Sequence, residues 1–338
     1  MLNKIELKNF GPLPKLDWQN LGAINLVIGE NGAGKTFLLK ALYSVMRTIE
    51  EHKRGDDKRT AAEILNENLY WTFQPEKIGD LVTKGADAAL SCSVQFNQQT
   101  FAYSFGKDTT KQISSLENDI PRRFSNSVFL PAKEVLSIDH IILKSRERDK
   151  TFGFDNTYLD LARAIRPLSE AEGYIAPEND DLARNKLEEI LGGRVVYDTK
   201  SKRWHFHKGN QKFSIGVTAE GIKKIGILNT LLANGYLEPD SIVFMDEPES
   251  SLHPKAISGL LDIVTLLAGS GIQFFLASHS YFVVKKLFLI AQEKKMSIPV
   301  ISEQGGQWLT NNLLDGMPKN DILDESVRLY KEEVRLAL

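Results

Sequence analysis

The sequence predicts an α/β protein with a mainly parallel core sheet, antiparallel hairpins and an inserted helical lobe. Three observations carry that prediction. An apolar stretch, "AINLVIGE", runs into a glycine-rich turn and then into the helical pattern "KTFLLKALYSVMRTIEE". Much later, "DSIVFMDE" reads as a buried-type strand, and "AISGLLDIVTLLAGSG", "IQFFLASHS" and "YFVVKKLFLIAQEKK" continue as helix, strand and helix. Strands alternating with helices imply parallel neighbours, because a parallel pair needs a long crossover between its members.

The remaining elements follow in chain order. "KIELKNF" alternates as a first strand, and "AINLVIGE" is the second. After the helix that begins at Lys35, the polar "HKRGDDKRT" reads as a loop and Ala61 to Phe73 as a second helix. "ALSCSVQFNQQTFAYSFGK" alternates around a turn-like centre, which is a β-hairpin. "NSVFLPA" is a short strand stopped by Pro131. Lys133 to Gly192 is mostly helical and charge-rich, with a loop at "SEAEGYIAPEND". "RVVYDTKSKRWHFHKGNQKFSIGV" reads as a second hairpin or three short strands, and a helix starts within "VTAEGIKKIGIL". Past the βαβα run lie "IPVISEQ", "QWLTNNLLDG" and a last helix, "ILDESVRLYKEEVRLA". Three segments result: 1–130 and 237–338 as two parts of one core, and 131–236 as the helical and hairpin lobe.

Bulk numbers exclude several classes. The 338 residues are 42% hydrophobic and 25% charged, the balance of a soluble globular chain. The formal charge, 42 − 44 = −2, gives no global basic field that would announce nucleic acid. Cys92 stands alone, which rules out an intrachain disulfide or a cysteine-built zinc site and suits a reducing compartment. No apolar run approaches the roughly 18 residues of a membrane span, and the N-terminus alternates unlike a signal peptide. The expectation is a cytoplasmic protein with no membrane partner.

Chemistry concentrates at two strand ends. "GENGAGKT", Gly29 to Thr36, fits G-x-x-x-x-G-K-[ST] in a strand–loop–helix setting. The small loop residues Asn31, Gly32, Ala33 and Gly34 let backbone N–H groups curl around β- and γ-phosphates, and the helix N-terminus adds positive partial charge. Lys35 would neutralise phosphate oxygens, and Thr36 would offer its hydroxyl to Mg²⁺. In "SIVFMDEPESSLHP" a buried strand delivers Asp246 and Glu247 to its carboxyl end, where ligands bind in open α/β sheets. Asp246 would hold Mg²⁺, and Glu247 would orient or deprotonate an attacking water.

Taken together, these stretches resemble the ABC-type ATPases, within them the RecF/SMC-like branch and the stand-alone ATPases related to the OLD family. The resemblance spans nearly the whole chain and implies a P-loop NTPase fold of the ABC-head kind, with ATP and Mg²⁺ as cofactors. It implies three further things. His279, in "FFLASHS", matches the switch histidine that contacts the γ-phosphate. Ser250 to Pro254 would cross to a partner subunit. ATP would be shared between two protomers, making a homodimer or higher homo-oligomer, with a signature helix of one chain capping the phosphate of the other. "TAEGIKK" stands where "LSGGQ" is usual, so Gly221 would act in trans, with Lys223 or Lys224 supplying charge. The plain alternative is a helix start with Thr218 as N-cap, Glu220 in the first turn and a solvated lysine pair.

Other positions remain open at this level. No glutamine occupies Phe129 to Ser137, where a glutamine loop belongs; Lys133, Glu134 or the earlier Gln74 are the alternatives. "LKSRERDK", Leu143 to Lys150, reads as a solvated helix face or as the place where DNA would be touched. His205 and His207 lack further metal ligands, and Tyr197, Trp204 and Phe206 suit hairpin packing.

The function expected is an ATPase whose nucleotide-dependent dimerisation gates a partner effector or a DNA transaction, as in anti-phage defence. A slow-hydrolysing ATP-bound scaffold or sensor and a RecF-like DNA-repair ATPase are the alternatives. Residues 280–338 are too few for a Toprim nuclease domain, so an effector such as a nuclease or toxin is expected as a separate chain. A degenerate signature disfavours a transporter subunit, and the lack of N-K-x-D disfavours a small GTPase.

Overall fold

The computed structural model describes residues 1–166 and 178–337. The loop expected over 169–180 lies outside the described residues, apart from its last three, which open a helix. The predicted α/β class holds. A six-stranded sheet takes β3 (Ile24–Ile28), β7 (Ser127–Leu130), β11 (Ile242–Asp246), β12 (Gln273–Ser278) and β13 (Pro299–Gln304) as parallel strands, with β14 (Gln307–Asn312) antiparallel at the edge. The order is β14-β13-β3-β12-β11-β7. A second, antiparallel sheet runs β2-β1-β4-β5-β6, from β1 (Leu2–Phe10), β2 (Leu13–Gln19), β4 (Leu90–Phe96), β5 (Gln99–Phe105) and β6 (Ser115–Asn118). The expected second hairpin is a three-stranded sheet of β8 (Arg194–Asp198), β9 (Arg203–Lys208) and β10 (Gln211–Ser214).

Helix α1 (Lys35–Glu51) lies between the two large sheets, and this explains why it is apolar on more than one side. The period-2 alternation of the central strands decides which layer each side chain joins. Ile242 and Phe244 of β11 face the α1 layer, where Phe244 stacks on Phe275 at 5.3 Å. Val243 and Met245 face the opposite layer, with α6 (Glu220–Ala233), α7 (Pro254–Gly269) and α8 (Tyr281–Lys294). Helix α2 (Ala61–Phe73) begins at Thr60 with a reciprocal capping box to Glu63 and packs on α1. Between β7 and β11 come α3 (Asp139–Leu143), a π-helical segment (Lys144–Arg148), α4 (Asn156–Ala164), α5 (Glu178–Leu191), the small sheet and α6. Helix α9 (Asp321–Ala337) follows β14. Among the described residues no helix is long and apolar enough to cross a membrane.

One consequence of the register positions the site. Ser278 pairs with Ile28, and Asp246 with Ala277, so the carboxyl ends of β3, β11 and β12 lie side by side. Everything that follows these three strands emerges at one edge of the sheet.

Candidate functional site

The loop after β3 turns through two left-handed glycines, Gly32 (φ 86°) and Gly34 (φ 99°). At Gly34 a β-carbon would strike Pro12 at 2.9 Å, whereas Gly32 faces open space. The N–H of Ala33 closes the turn on the carbonyl of Glu30 at 3.3 Å. Helix α1 starts at Lys35 with no side-chain cap and no acid in its first turn, so its amide N–H groups and positive end face outward. Beside it lies a cleft of about 480 Å³ lined by Asn31, Gly32, Gly34, Lys35, Thr36, Lys40 and Glu247, with Pro12, Phe37 and Phe73 on its apolar side.

The two strand-end motifs meet here. Thr36 Oγ1 donates to the Asp246 carboxylate, at 3.0 Å from Oδ1 and 2.9 Å from Oδ2. Lys35 Nζ bonds the carbonyls of Gly29 and Glu30, both at 2.9 Å. Burial pushes the Asp246 carboxyl above its usual range, and the Thr36 hydrogen bond only partly offsets it. Burial likewise holds the Lys35 ammonium below its usual range, against the attraction of Asp246. Both groups are therefore short of an opposite charge. A divalent cation at Asp246 and Thr36 and a phosphate anion at Lys35 would relieve each, so the donor set fits Mg²⁺ with a polyphosphate. Among the described residues no cluster of three His, Cys, Asp or Glu forms an all-protein metal site. Mg²⁺ is ordinarily held by one or two protein oxygens, here the Thr36 hydroxyl and the Asp246 carboxylate, with phosphate and water completing the shell.

Glu247 adopts a left-handed backbone (φ 47°), its N–H held by the carbonyl of Ala277 at 2.9 Å. Its Oε1 lies 3.4 Å from His279 Nδ1. Glu249, which the sequence reading passed over, ties the two strand ends together. Its Oε1 accepts from Ser278 Oγ at 2.7 Å and from the His279 N–H at 3.2 Å. The third acid of "DEPES" was the available signal for it.

Gly221 sits in the first turn of α6, buried, and does not line the cleft. It packs under the turn that follows β11: a β-carbon there would lie 2.7 Å from the carbonyl oxygen of Ser251. Ser251 Oγ donates to the Glu220 carboxylate at 2.9 Å. Three expectations need correction. Thr218 is not the N-cap; its hydroxyl turns back to the carbonyl of Ser214 at 3.1 Å, and Ala219 takes the cap position without a side-chain bond. The lysine pair is not solvated, with Lys223 6% and Lys224 7% exposed. Nor do these lysines reach outward: Lys223 pairs with Glu134 at 3.2 Å, while Lys224 donates to the backbone carbonyls of Asp246 and Glu247. Burial holds the Lys224 ammonium down to about 8.

None of the three glutamine-loop alternatives lines the cleft. Glu134 is engaged by Lys223 and by the Ser137 N–H at 3.0 Å, and Lys133 is exposed. Gln74 ends α2 and clamps the chain before α4, donating to Phe154 O at 3.0 Å and accepting from Gly153 N–H at 3.2 Å. In "LKSRERDK", Lys144, Arg148 and Lys150 are solvated as the bland reading expects, but Arg146 is buried over the Trp71 ring at 3.9 Å. Tyr197 packs on Trp204 at 5.0 Å within the small sheet.

Comparison with known proteins bears on the family and the fold. Residues 24–285 match the family described as "AAA domain, putative AbiEii toxin, Type IV TA system". An uncharacterized protein of Methanocaldococcus jannaschii is 30% identical over 142 residues, which is 39% of this chain. That match spans 62% of the archaeal protein, less than two thirds of its length. A Helicobacter pylori protein named ATP/GTP phosphatase is 20% identical over 87% of this chain and 89% of its own. Among solved structures, an SMC head bound to the C-winged helix domain of ScpA matches with a TM-score of 0.53 at 14% identity, over 92% of this chain and 97% of that one. An Smc head with an extended coiled coil, bound to a ScpA C-terminal domain from Pyrococcus furiosus, matches at 0.50 and 12% identity over 99% of both chains. These structural likenesses bear on the fold alone.

Proposed function

This chain belongs to the P-loop ATPase family matched by residues 24–285, and from that premise we propose that it binds and hydrolyses Mg-ATP to switch its association with a second copy. The observation that carries the reading is the meeting of Lys35 and Thr36 with Asp246, Glu247 and His279 at three adjacent strand ends. Asn31 to Gly34 and the first amides of α1 cradle phosphate oxygens, with Lys35 neutralising them. Thr36 Oγ1 and the Asp246 carboxylate would hold Mg²⁺, which would supply charge neutralisation to the phosphoryl oxygens. Glu247 would accept a proton from the attacking water, and His279, 3.4 Å from it, would contact the γ-phosphate. Its side chain is 43% exposed, as a group facing an incoming partner should be.

The second half of the site is assigned to another copy. The first turn of α6, with Gly221, and the Ser250–Pro254 segment form one surface unit through the Glu220–Ser251 bond. Their proposed place is over the partner's phosphates, offering free α6 amides, with the lysines acting from within. Residues 131–236 are proposed as the lobe between two parts of one core, 1–130 and 237–338. The effector is proposed as a separate nuclease or toxin in anti-phage defence. That reading is supported only by the family's toxin–antitoxin description, with a DNA transaction as the other possibility of the same switch.

Complementation between two lesions tests the composite site. Lys35→Ala disables a chain's own phosphate loop, and Ala219→Arg places a bulky cation at the exposed cap of α6. Each alone should release little phosphate from Mg-ATP. Mixed, they should regain up to roughly a quarter of wild-type turnover, because half of randomly formed dimers keep one intact site. No recovery from two folded variants rejects the shared site. Equal phosphate release by wild type and Glu247→Gln, with or without DNA, rejects the role of Glu247.

A further inference from the structure

Helix α9 has 17 residues, about 25 Å of helix, and rests on α8 mainly through its first turns. Ile322, Leu323 and Ser326 are half-buried there, whereas Val327 (48%), Tyr330 (66%) and Val334 (38%) stand exposed beyond them. Leu323, Val327, Tyr330 and Val334 are spaced four, three and four residues apart, the a/d spacing of a two-helix seam. A helix of this length draws most of its stability from packing its apolar face, and among the described residues nothing covers this one beyond the half-buried Leu323.

The charges beside the seam indicate what covers it. Asp324 and Lys331 occupy the same flank one heptad apart, acid first and base second. Neither has an ion pair in the chain among the described residues, although Arg328 is tied to both Glu325 and Glu332 at 2.6 Å. Laid antiparallel on itself, the helix brings Asp324 of each copy beside Lys331 of the other. The same arrangement sets Leu323 against Val334 and Val327 against Tyr330, two layers that repeat by the two-fold axis. On the far flank Ser326 meets Glu333, with no like-charge clash. A parallel pair would face Lys331 with Ser326 and leave Asp324 without a partner. The helix macrodipole accounts for an acid in the first turn but asks nothing of Lys331, which lies well inside the helix.

We infer that α9 is a self-association element through which two copies of the chain pair antiparallel, independently of nucleotide. The inference goes beyond the proposed ATP switch and does not rest on it. The interface is isologous and closes on itself, so it yields a pair rather than a filament.

The test uses the full chain carrying Lys35→Ala, which separates this pairing from any driven by ATP. Light scattering without nucleotide, at tens of micromolar chain, should give the mass of two copies. Val327→Glu/Tyr330→Glu, at exposed positions, should give one copy with an unchanged circular dichroism spectrum. Asp324→Lys should weaken pairing at least about tenfold, because it opposes like charges twice. Asp324→Lys/Lys331→Asp should restore it, and mixing Asp324→Lys with Lys331→Asp should form mixed pairs. A single-copy mass for the parent overturns the inference, as does a two-copy mass for Val327→Glu/Tyr330→Glu. Failure of the double charge swap to restore pairing overturns it as well.

Discussion

Gly221→Ala reverses a familiar sign. In an ordinary helix the change stabilises by about 0.5–1 kcal/mol, because alanine loses less backbone freedom than glycine. Here the new methyl would lie 2.7 Å from the carbonyl oxygen of Ser251 and 2.8 Å from Cδ2 of Leu252. The leucine can rotate away, but the carbonyl is held. Ser251 is in the left-handed region (φ 62°), its hydroxyl is bound to Glu220, and the Leu252 N–H donates to Glu249 O at 3.0 Å. Relief therefore requires the whole turn to shift. Overpacking of this kind costs about 1–3 kcal/mol, so the net loss after the alanine gain spans about 0–2.5 kcal/mol and centres near 1 kcal/mol. Urea unfolding reads this as a lower midpoint at constant slope. Gly269→Ala is the control, since a β-carbon at the end of α7 meets nothing within 4 Å; it should be neutral or slightly stabilising. A Gly221→Ala protein more stable than wild type would refute the close packing of α6 against this turn.

Three further outcomes are expected. Thr36→Val keeps the shape but removes the donor that both Asp246 oxygens share, so phosphate release should fall roughly 10- to 100-fold and recover partly at raised Mg²⁺; unchanged release contradicts the metal assignment. Glu249→Ala frees Ser278 and the His279 amide, so kcat should fall roughly tenfold with little change in KM, and Glu249→Gln should retain most activity because its amide oxygen still accepts; equal loss in both variants contradicts the tether. Lys224 gives a pH signature in metal-free buffer. Burial holds its ammonium at about 8 against a usual 10.5, so the folded chain releases that proton first. The unfolded chain then binds more protons between those values, and stability rises with pH across the window. A gap of 10.5 − 8 at about 1.36 kcal/mol per pH unit gives a gain of about 3 kcal/mol. Lys224→Met should lack this slope, and parallel pH profiles of the two proteins contradict the burial.

Much of the fold was legible because its core strands announce themselves. "INLVI", "IVFMD" and "QFFLAS" are buried on both faces and read as apolar runs between turn signals. β2 escaped because "LPKLDWQ" interleaves a proline and charges and buries only Leu13, Leu16 and Trp18, without a regular alternation. β6, "SLEN", is a short edge strand with no buried residue, and nothing in its composition distinguishes it from a loop. At the site, the phosphate loop and the acid pair carried their chemistry in their spacing. The lysines of α6 did not. A lysine is rarely buried, so the default reading is solvent, and only tertiary contacts reveal Glu134 and the two carbonyls that receive these side chains. Thr218 failed as a cap for a related reason: a one-turn 3₁₀ helix, Ile215–Val217, precedes α6 and draws its hydroxyl backward.

The same contacts bear on how docking at α6 would reach the catalytic end of β11. Lys224 joins α6 to the Asp246 and Glu247 carbonyls, and Glu220 joins its first turn to Ser251. Glu249, between those points in sequence, holds the His279 amide. A displacement of α6 therefore acts on Glu247 and His279 through three short connections and no flexible loop. Glu247 is the residue most exposed to such a pull. Its left-handed backbone is uncommon for a side chain of its kind and persists because Lys224 on one side and the Ala277 carbonyl on the other hold it. In the proposed dimer, engagement of α6 by a partner's phosphates would set the aim of this chain's own carboxylate. Occupancy of one site would then raise hydrolysis at the other without being required for it, and turnover should rise with ATP more steeply than a single-site curve.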